Sequence, residues 1–235
     1  MVPLEASTVE EALHIADKRM YLNKRSGRVS AGRQVTDALL RALAEHHPDL
    51  EDHLAGVTEL ALAVAQELGL DRVARERVRL VAQLHDVGKV AIPDEIINEP
   101  GLLDDNDWAF MKRHTLIGER ILLAAPALAP LAALVRSTHE RFDGNGYPDN
   151  LVGEQIPLES RIISVCDAFD AMVSERPYSH AVTGPEALEE LQRNAGTQFD
   201  ARVVAAFATV LVKIPLVGTS YRTGASHRFD GAVAA

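Results

Sequence analysis

The residues that most constrain this fold are imidazoles and carboxylates set into apolar helical stretches, where burial is costly for them. The clearest case is Leu84-His85-Asp86-Val87-Gly88-Lys89, where an apolar pattern (Val78, Val81, Ala82, Leu84) stops at a glycine. Gly88 can take a positive φ without steric cost and is read as the end of that helix. His85 and Asp86 then fall in its last turn and point different ways. An imidazole nitrogen can bind one cation there, while the two carboxylate oxygens bridge to a second. A His-Asp pair alone is a weak signal, since such pairs are common on surfaces; its weight comes from the rest of the chain.

His53 shares the apolar side of a helix expected over 49–68, with Leu54, Val57, Leu60, Ala61, Val64 and Leu68. Alone it reads as a satisfied core histidine. His114 falls in the middle of a long helix expected from Asp104 or Asp105 through Trp108, Met111 and Ile117 to Leu123. His139 ends an apolar helix over 127–139, and Asp167 and Asp170 interrupt an apolar helix opened by Pro157 and running to Met172. Five helices thus each present an imidazole or carboxylate from an apolar segment: His53, His85 with Asp86, His114, His139 and Asp167. Burying these groups uncompensated costs many kcal/mol, whereas helical bundles commonly build metal sites from facing helices. The mixed nitrogen and oxygen set suits iron, manganese, zinc or cobalt better than calcium or copper(I), without choosing among the first four.

The remaining helices are expected over 7–25 (capping boxes at Ser7 and Thr8), 35–45, from an Asp71 cap to Leu84, from a Thr183 cap to Asn194, and from an Asp200 cap to about Leu211. Val35, Leu39, Leu40 and Leu43 form a seam suited to another helix or another subunit. His46 and His47, before Pro48, read as solvent-facing loop residues. No stretch reads as a strand, so the fold class is all-α. The one long loop, 141–157, carries three glycines and two prolines, which argues for a fixed backbone path and a functional role. With 235 residues, the chain divides into an N-terminal helix and linker (1–33), a main domain (34–212) and a tail without periodicity (213–235).

The formal charge of −10 excludes a general polyanion-binding surface, though not a small phosphorylated substrate held through bound cations. No run approaches the roughly 20 apolar residues of a membrane span, and acidic residues interrupt the start where a signal peptide would be basic and then apolar. The lone cysteine, Cys166, fits a reducing cytoplasm.

These motifs resemble a known family. His85-Asp86-Val87-Gly88-Lys89-Val90-Ala91-Ile92-Pro93-Asp94 is similar to the HD motif, and His139-Glu140-Arg141-Phe142-Asp143-Gly144-Asn145-Gly146-Tyr147-Pro148 to the GYP motif, of HD-GYP phosphodiesterases. Ile156-Pro157-Leu158, the segment from Val165 to Met172 and Arg176-Pro177-Tyr178 match further family segments in order. The resemblance implies an HD-domain-like helical bundle with a long GYP loop. It implies hydrolysis of cyclic di-GMP to the linear dinucleotide pGpG, to GMP, or to both, by a metal-bridging hydroxide. Two divalent ions are implied, with a third possible: iron or manganese first, zinc, cobalt or nickel as alternatives. By that analogy His53, His85, Asp86 and Asp167 hold one metal. Asp86 bridges to a second held by His114 and the Thr138-His139 corner, and Asp49 is placed to recruit a third. Asp86 and Lys89 are the implied catalytic residues; Lys89 contacts the phosphate, and Tyr147 and Arg176 position the nucleotide.

The chain departs from the family at Thr138, where a histidine is usual, and at Ser179, often a lysine. A hydroxyl is a poor ligand, so the second metal is expected to bind more weakly, and a histidine at 138 to raise metal content. A module that binds the nucleotide or a partner protein without efficient turnover, and a hydrolase of another cyclic dinucleotide, are the alternatives. Residues 12–21 resemble the last helix of a GGDEF domain, which points to a remnant of such a domain. The expected partners are a cyclic dinucleotide, a second copy through the N-terminal helices, and a GGDEF-type or other signalling protein. No nucleic-acid polymer and no membrane is expected.

Overall fold

The computed structural model describes residues 32–45, 49–97, 99, 101–174 and 181–213. The expectations for the helix over 7–25, the GGDEF-like segment, His46, His47, Arg176, Ser179 and the tail lie outside these residues, as does the side chain of Asp49.

Among the described residues the fold is all-helical, with isolated bridges (Asp143 with Val152, Ala195 with Phe199) and no strand. Helix α1 covers 32–45, followed by α2 (Asp49–Glu67), α3 (Arg72–Leu84), α4 (Asp94–Ile97), α5 (Asp105–Met111), α6 (His114–Ala124), α7 (Ala132–Arg136), α8 (Leu158–Val173), α9 (Gly184–Arg193) and α10 (Ala201–Lys213). Several starts are fixed by the expected caps. Asp71 accepts from the Ala74 N–H, Asp104 from Asn106 and Asp107, and Thr183 forms a reciprocal capping box with Glu186.

Helix α2 is the spine of the bundle, packed against α3, α8 and α10. Val57, Ala61, Val64, Val81, Ile162, Ile163 and Phe207 form the centre of the core, each almost fully buried. The seam on α1 is used within the chain: Leu43 is buried, and Val35, Leu39 and Leu40 pack against the core.

Three expectations are corrected. Gly88 does not end α3 through a positive φ. It lies inside a 3-10 turn, Val87–Ala91, and a Cβ there would stand 1.9 Å from the His114 carbonyl oxygen and 2.7 Å from the Gly118 nitrogen. The glycine is required for the close backbone approach of this turn to α6. The long helix expected through Trp108 to Leu123 is two helices, α5 and α6, separated by a turn at Lys112-Arg113, so His114 is a first-turn residue. The helix expected over 127–139 is a 3-10 turn, Ala129–Leu131, followed by the short α7.

The loop 141–157 has the fixed path its composition implies. It contains a 3-10 turn, Gly153–Gln155, and folds back on residues 139–141. The buried Glu140 carboxylate accepts hydrogen bonds from the Asp149 N–H (2.6 Å) and the Leu151 N–H (3.0 Å). A Cβ on Gly146 would lie 2.2 Å from the Arg141 nitrogen, so only glycine permits this return. No helix among the described residues is long and apolar enough to cross a membrane.

Candidate metal centre

Three of the four imidazoles, those of His53, His85 and His114, are oriented by a hydrogen bond at Nδ1. His85, just past α3, donates from Nδ1 to the Ala82 carbonyl (2.8 Å), and His114 does the same to Met111 (2.8 Å). A carbonyl can only accept, so both rings carry their proton on Nδ1 and leave Nε2 with a free lone pair. His53, on α2, holds Nδ1 at 2.6 Å from Asp170 Oδ2, and a carboxylate behind an imidazole fixes a ligand ring in the same way.

The Nε2 atoms converge on Asp86. Asp86 Oδ2 lies 3.6 Å from His85 Nε2 and 4.0 Å from His53 Nε2, while Asp86 Oδ1 lies 3.7 Å from His114 Nε2. Asp167, on α8, joins the first group: its Oδ1 is 3.2 Å from His53 Nε2 and 3.8 Å from His85 Nε2. His139 joins the second, its ring 4.8 Å from that of His114 between centroids. Two ligand groups result, His53-His85-Asp86 and Asp86-His114-His139, the atoms of each lying within 4.8 Å of one another.

These groups fit divalent cations. His85 Nε2, Asp86 Oδ1, His114 Nε2 and His139 Nε2 are buried without a hydrogen-bond partner among the described residues. Buried polar atoms are rarely left so, and several aimed at common points call for a shared positive ligand. Metal–ligand bonds of about 2.1 Å place neighbouring donor atoms roughly 3.0–3.5 Å apart, close to the spacings seen.

The electrostatics prepare the donors. Burial would raise Asp86, but the Lys89 ammonium, foremost among its neighbours, holds it well below the usual carboxylate range. Burial opposes ionisation of Asp167 as well, and its hydrogen bonds to His53 and His85 pull it well down. Burial lowers His114 to about 3, and it lowers His139 too, so both rings are neutral and able to coordinate through Nε2. Burial would lower His53, yet Asp167 and Asp170 outweigh it and raise this ring to about 9, a proton that a bound cation must displace.

Around the centre, Lys89 Nζ sits 2.7 Å from Asp86 Oδ2. Tyr147 stacks on His139, with ring centroids 5.2 Å apart and an angle of 3° between planes. Burial raises the Tyr147 phenol, helped by the charges of Asp86 and Asp167, so it stays protonated. Thr138 is buried and its hydroxyl donates to the Val135 carbonyl (2.9 Å).

The structure therefore brings together His53, His85, Asp86, His114, His139, Asp167, Lys89 and Tyr147. Asp49 opens α2, with its side chain outside the described atoms, and Arg176 lies outside the described residues. Three contributors had no role assigned from the sequence: Asp170 behind His53, Glu140 anchoring the loop, and Lys112 with Trp108 beside Tyr147. Asp170 did leave a signal, as a second carboxylate one turn after Asp167 in an apolar helix.

Comparison with known proteins agrees with this arrangement. Residues 37–203 match the family model described as HD domain. The cyclic di-GMP phosphodiesterase response regulator RpfG of Xanthomonas campestris is 41% identical over 176 residues, 74% of this chain and 47% of that protein. A cyclic di-GMP phosphodiesterase of Thermotoga maritima is 37% identical over 201 residues, 81% of this chain and 54% of that protein. The chain thus spans about half the length of these curated relatives. In fold it is similar to the Listeria monocytogenes phosphodiesterase PgpH HD domain solved with cyclic di-AMP, with a TM-score of 0.58 at 18% identity, covering 81% of this chain and 100% of that one. On the His-Asp cluster, the helical architecture and the span of the family match, the chain belongs to the HD-domain family.

Proposed function

We propose that this chain hydrolyses a cyclic dinucleotide, cyclic di-GMP foremost, at a centre holding two divalent cations. The observation that carries the reading is Asp86, whose two carboxylate oxygens face separate imidazole groups. His53, His85, Asp86 and Asp167 would hold one ion; Asp86, His114 and His139 would hold the other, and Asp49 is the candidate for a third. Iron or manganese suits this donor set, with zinc, cobalt or nickel as alternatives. Such ions supply Lewis acidity toward a phosphodiester oxygen and lower the pKa of a coordinated water.

The chain's own residues do the rest. Neutral His114 and His139 keep their lone pairs free at neutral pH. Lys89, whose side chain is partly exposed, holds its ammonium beside Asp86. From there it can reach an unesterified phosphate oxygen and offset the charge that grows on it in the transition state. Tyr147, held flat against His139 by the loop, has an O–H to donate to the substrate. Arg176 is proposed for the nucleotide from its motif position alone. Curated relatives named as cyclic di-GMP phosphodiesterases, and one from Vibrio cholerae named as specific for 3'3'-cGAMP, support the substrate class. The setting proposed is the cytoplasm, and any association with a second copy or a GGDEF-type protein would involve residues 1–31.

The test is turnover by protein loaded with Mn(II), or anaerobically with Fe(II). Cyclic di-GMP should yield pGpG, GMP or both. Full metal content without product would overturn this reading in favour of a nucleotide-binding module. The observation favouring that second reading is Thr138, whose hydroxyl proton is engaged by the backbone where family members carry a histidine. A panel of cyclic dinucleotides separates cyclic di-GMP from other substrates.

A further inference from the structure

Lys112, in the turn between α5 and α6, is a cation beside the centre that the chemistry above does not use. Its ammonium lies over two rings, 5.5 Å from the Trp108 centroid and 5.4 Å from that of Tyr147. Among the described residues it makes no ion pair, whereas Lys89 is engaged by Asp86 at 2.7 Å. Trp108 and Tyr147 meet edge to face, with centroids 6.5 Å apart and an angle of 76° between planes, and so form an aromatic corner. One wall of the corner is continuous with the metal ligands, because Tyr147 stacks on His139. Both Trp108 and Lys112 are partly exposed, so the corner is open to a ligand.

An aromatic wall with an unpaired ammonium at its edge has a definite chemical preference. Aromatic side chains stack on any base. An ammonium discriminates, because it can only donate. Guanine presents two adjacent acceptors, O6 and N7, whereas adenine replaces the first with an amino donor that opposes a cation. The two rings hold the ammonium in place through cation–π attraction while leaving its N–H groups free to donate.

Resting on the cyclic-dinucleotide reading, we propose that Trp108 and Lys112 receive a guanine base of the substrate. Trp108 stacks on the base and Lys112 donates to O6 and N7, so that the pair sets a preference for guanine over adenine.

Two measurements test this on the metal-loaded chain. Trp108 is the sole tryptophan, so its emission reports on the corner directly. Cyclic di-GMP should quench it, and saturable binding without any change in emission would overturn the proposal. The second measurement is Kd and kcat/KM for cyclic di-GMP and cyclic di-AMP. K112M should lower the ratio of cyclic di-GMP to cyclic di-AMP by about tenfold. The loss should appear in Kd and KM rather than in kcat, with melting temperature and metal content as in the unsubstituted chain. K112R should restore most of the preference. W108A should weaken both nucleotides alike, by about tenfold, since stacking is indifferent to base identity.

Equal losses for both nucleotides in K112M would assign the ammonium to a phosphate and overturn the base contact. An unchanged ratio would overturn it too. If the chain binds both dinucleotides without turnover, the Kd ratio still decides the base contact, and only the hydrolytic reading fails. If it binds neither, both readings fall.

Discussion

Asp86 is the residue whose change should be felt at both ligand groups. Its two oxygens face different imidazoles, so D86N weakens one donor atom of each group and should reduce bound metal at both positions. H114A removes a ligand from one group only and should leave close to one ion per chain; metal analysis on the two variants checks the difference. Equal stoichiometry in both would refute the bridging role. Asp170 acts one step back, orienting His53 through Nδ1. D170N should weaken the first site about 10–100-fold in metal affinity, the usual effect of losing such a partner, measured by competition with a chelator. At this scale most of the site is legible in the sequence. His53, His85, His114, His139 and Asp167 each set a titratable group into an apolar stretch, and that conflict is visible without a structure. The role of Asp170 is not, because it depends on which imidazole nitrogen a distant helix presents. Lys112 is illegible for the opposite reason: a lysine before an arginine reads as ordinary surface until two rings are found beneath its ammonium.

The elements that aim these residues are held by close backbone approach rather than by long helices. The 3-10 turn Val87–Ala91 lies directly against the first turn of α6, with no room for a Cβ at Gly88. Because the obstacle is the His114 carbonyl, G88A must push apart the two backbones carrying Asp86 and His114. Overpacking of this kind costs about 1–3 kcal/mol or more. G88A should therefore lower the melting temperature and the metal content together, whereas a merely local strain would lower only the first. The loop 141–157 depends in turn on Glu140. E140Q sets an amide N–H₂ against backbone N–H donors from Asp149 or Leu151 and should cost about 1–3 kcal/mol. With Tyr147 no longer held against His139, the loop should become sensitive to limited proteolysis and the KM for the dinucleotide should rise. Helix existence is legible here, since apolar period and caps agree at α3, α9 and α10, and apolar period alone marks α2. The division of α5 from α6 is not. The periodicity runs unbroken through Lys112-Arg113, which contains neither glycine nor proline, and the break coincides with the close packing of the turn at Gly88 on the first turn of α6. Gly88, sound as a sign that α3 stops nearby, likewise acts through closeness rather than through a left-handed φ.

Over the whole molecule, the ligand groups come from elements far apart in sequence, from His53 on α2 to Asp167 on α8, with α3, α6 and α7 delivering the others between them. The unfolded chain has no such cluster, so ions that bind the folded state should stabilise all of these elements at once. A free ion at a hundredfold excess over its Kd contributes about 2.7 kcal/mol, which for a domain of this size raises the melting temperature by roughly 5–10 °C. The direction follows from the charges as well. Asp86 is buried and Asp167 partly buried, both are ionised beside the same two imidazoles, and the net charge of the chain is −10, so cations at the centre offset negative charge gathered there. Chelation followed by a thermal melt should therefore show a lower transition than the Mn(II)-loaded protein, and returning Mn(II) should restore it. H114A should keep part of this shift and D86N little of it, since one retains a complete ligand group and the other neither. Identical melting temperatures with and without bound metal would mean that the buried imidazoles and carboxylates are satisfied without it, and the centre would have to be read as a structural ion-pair network.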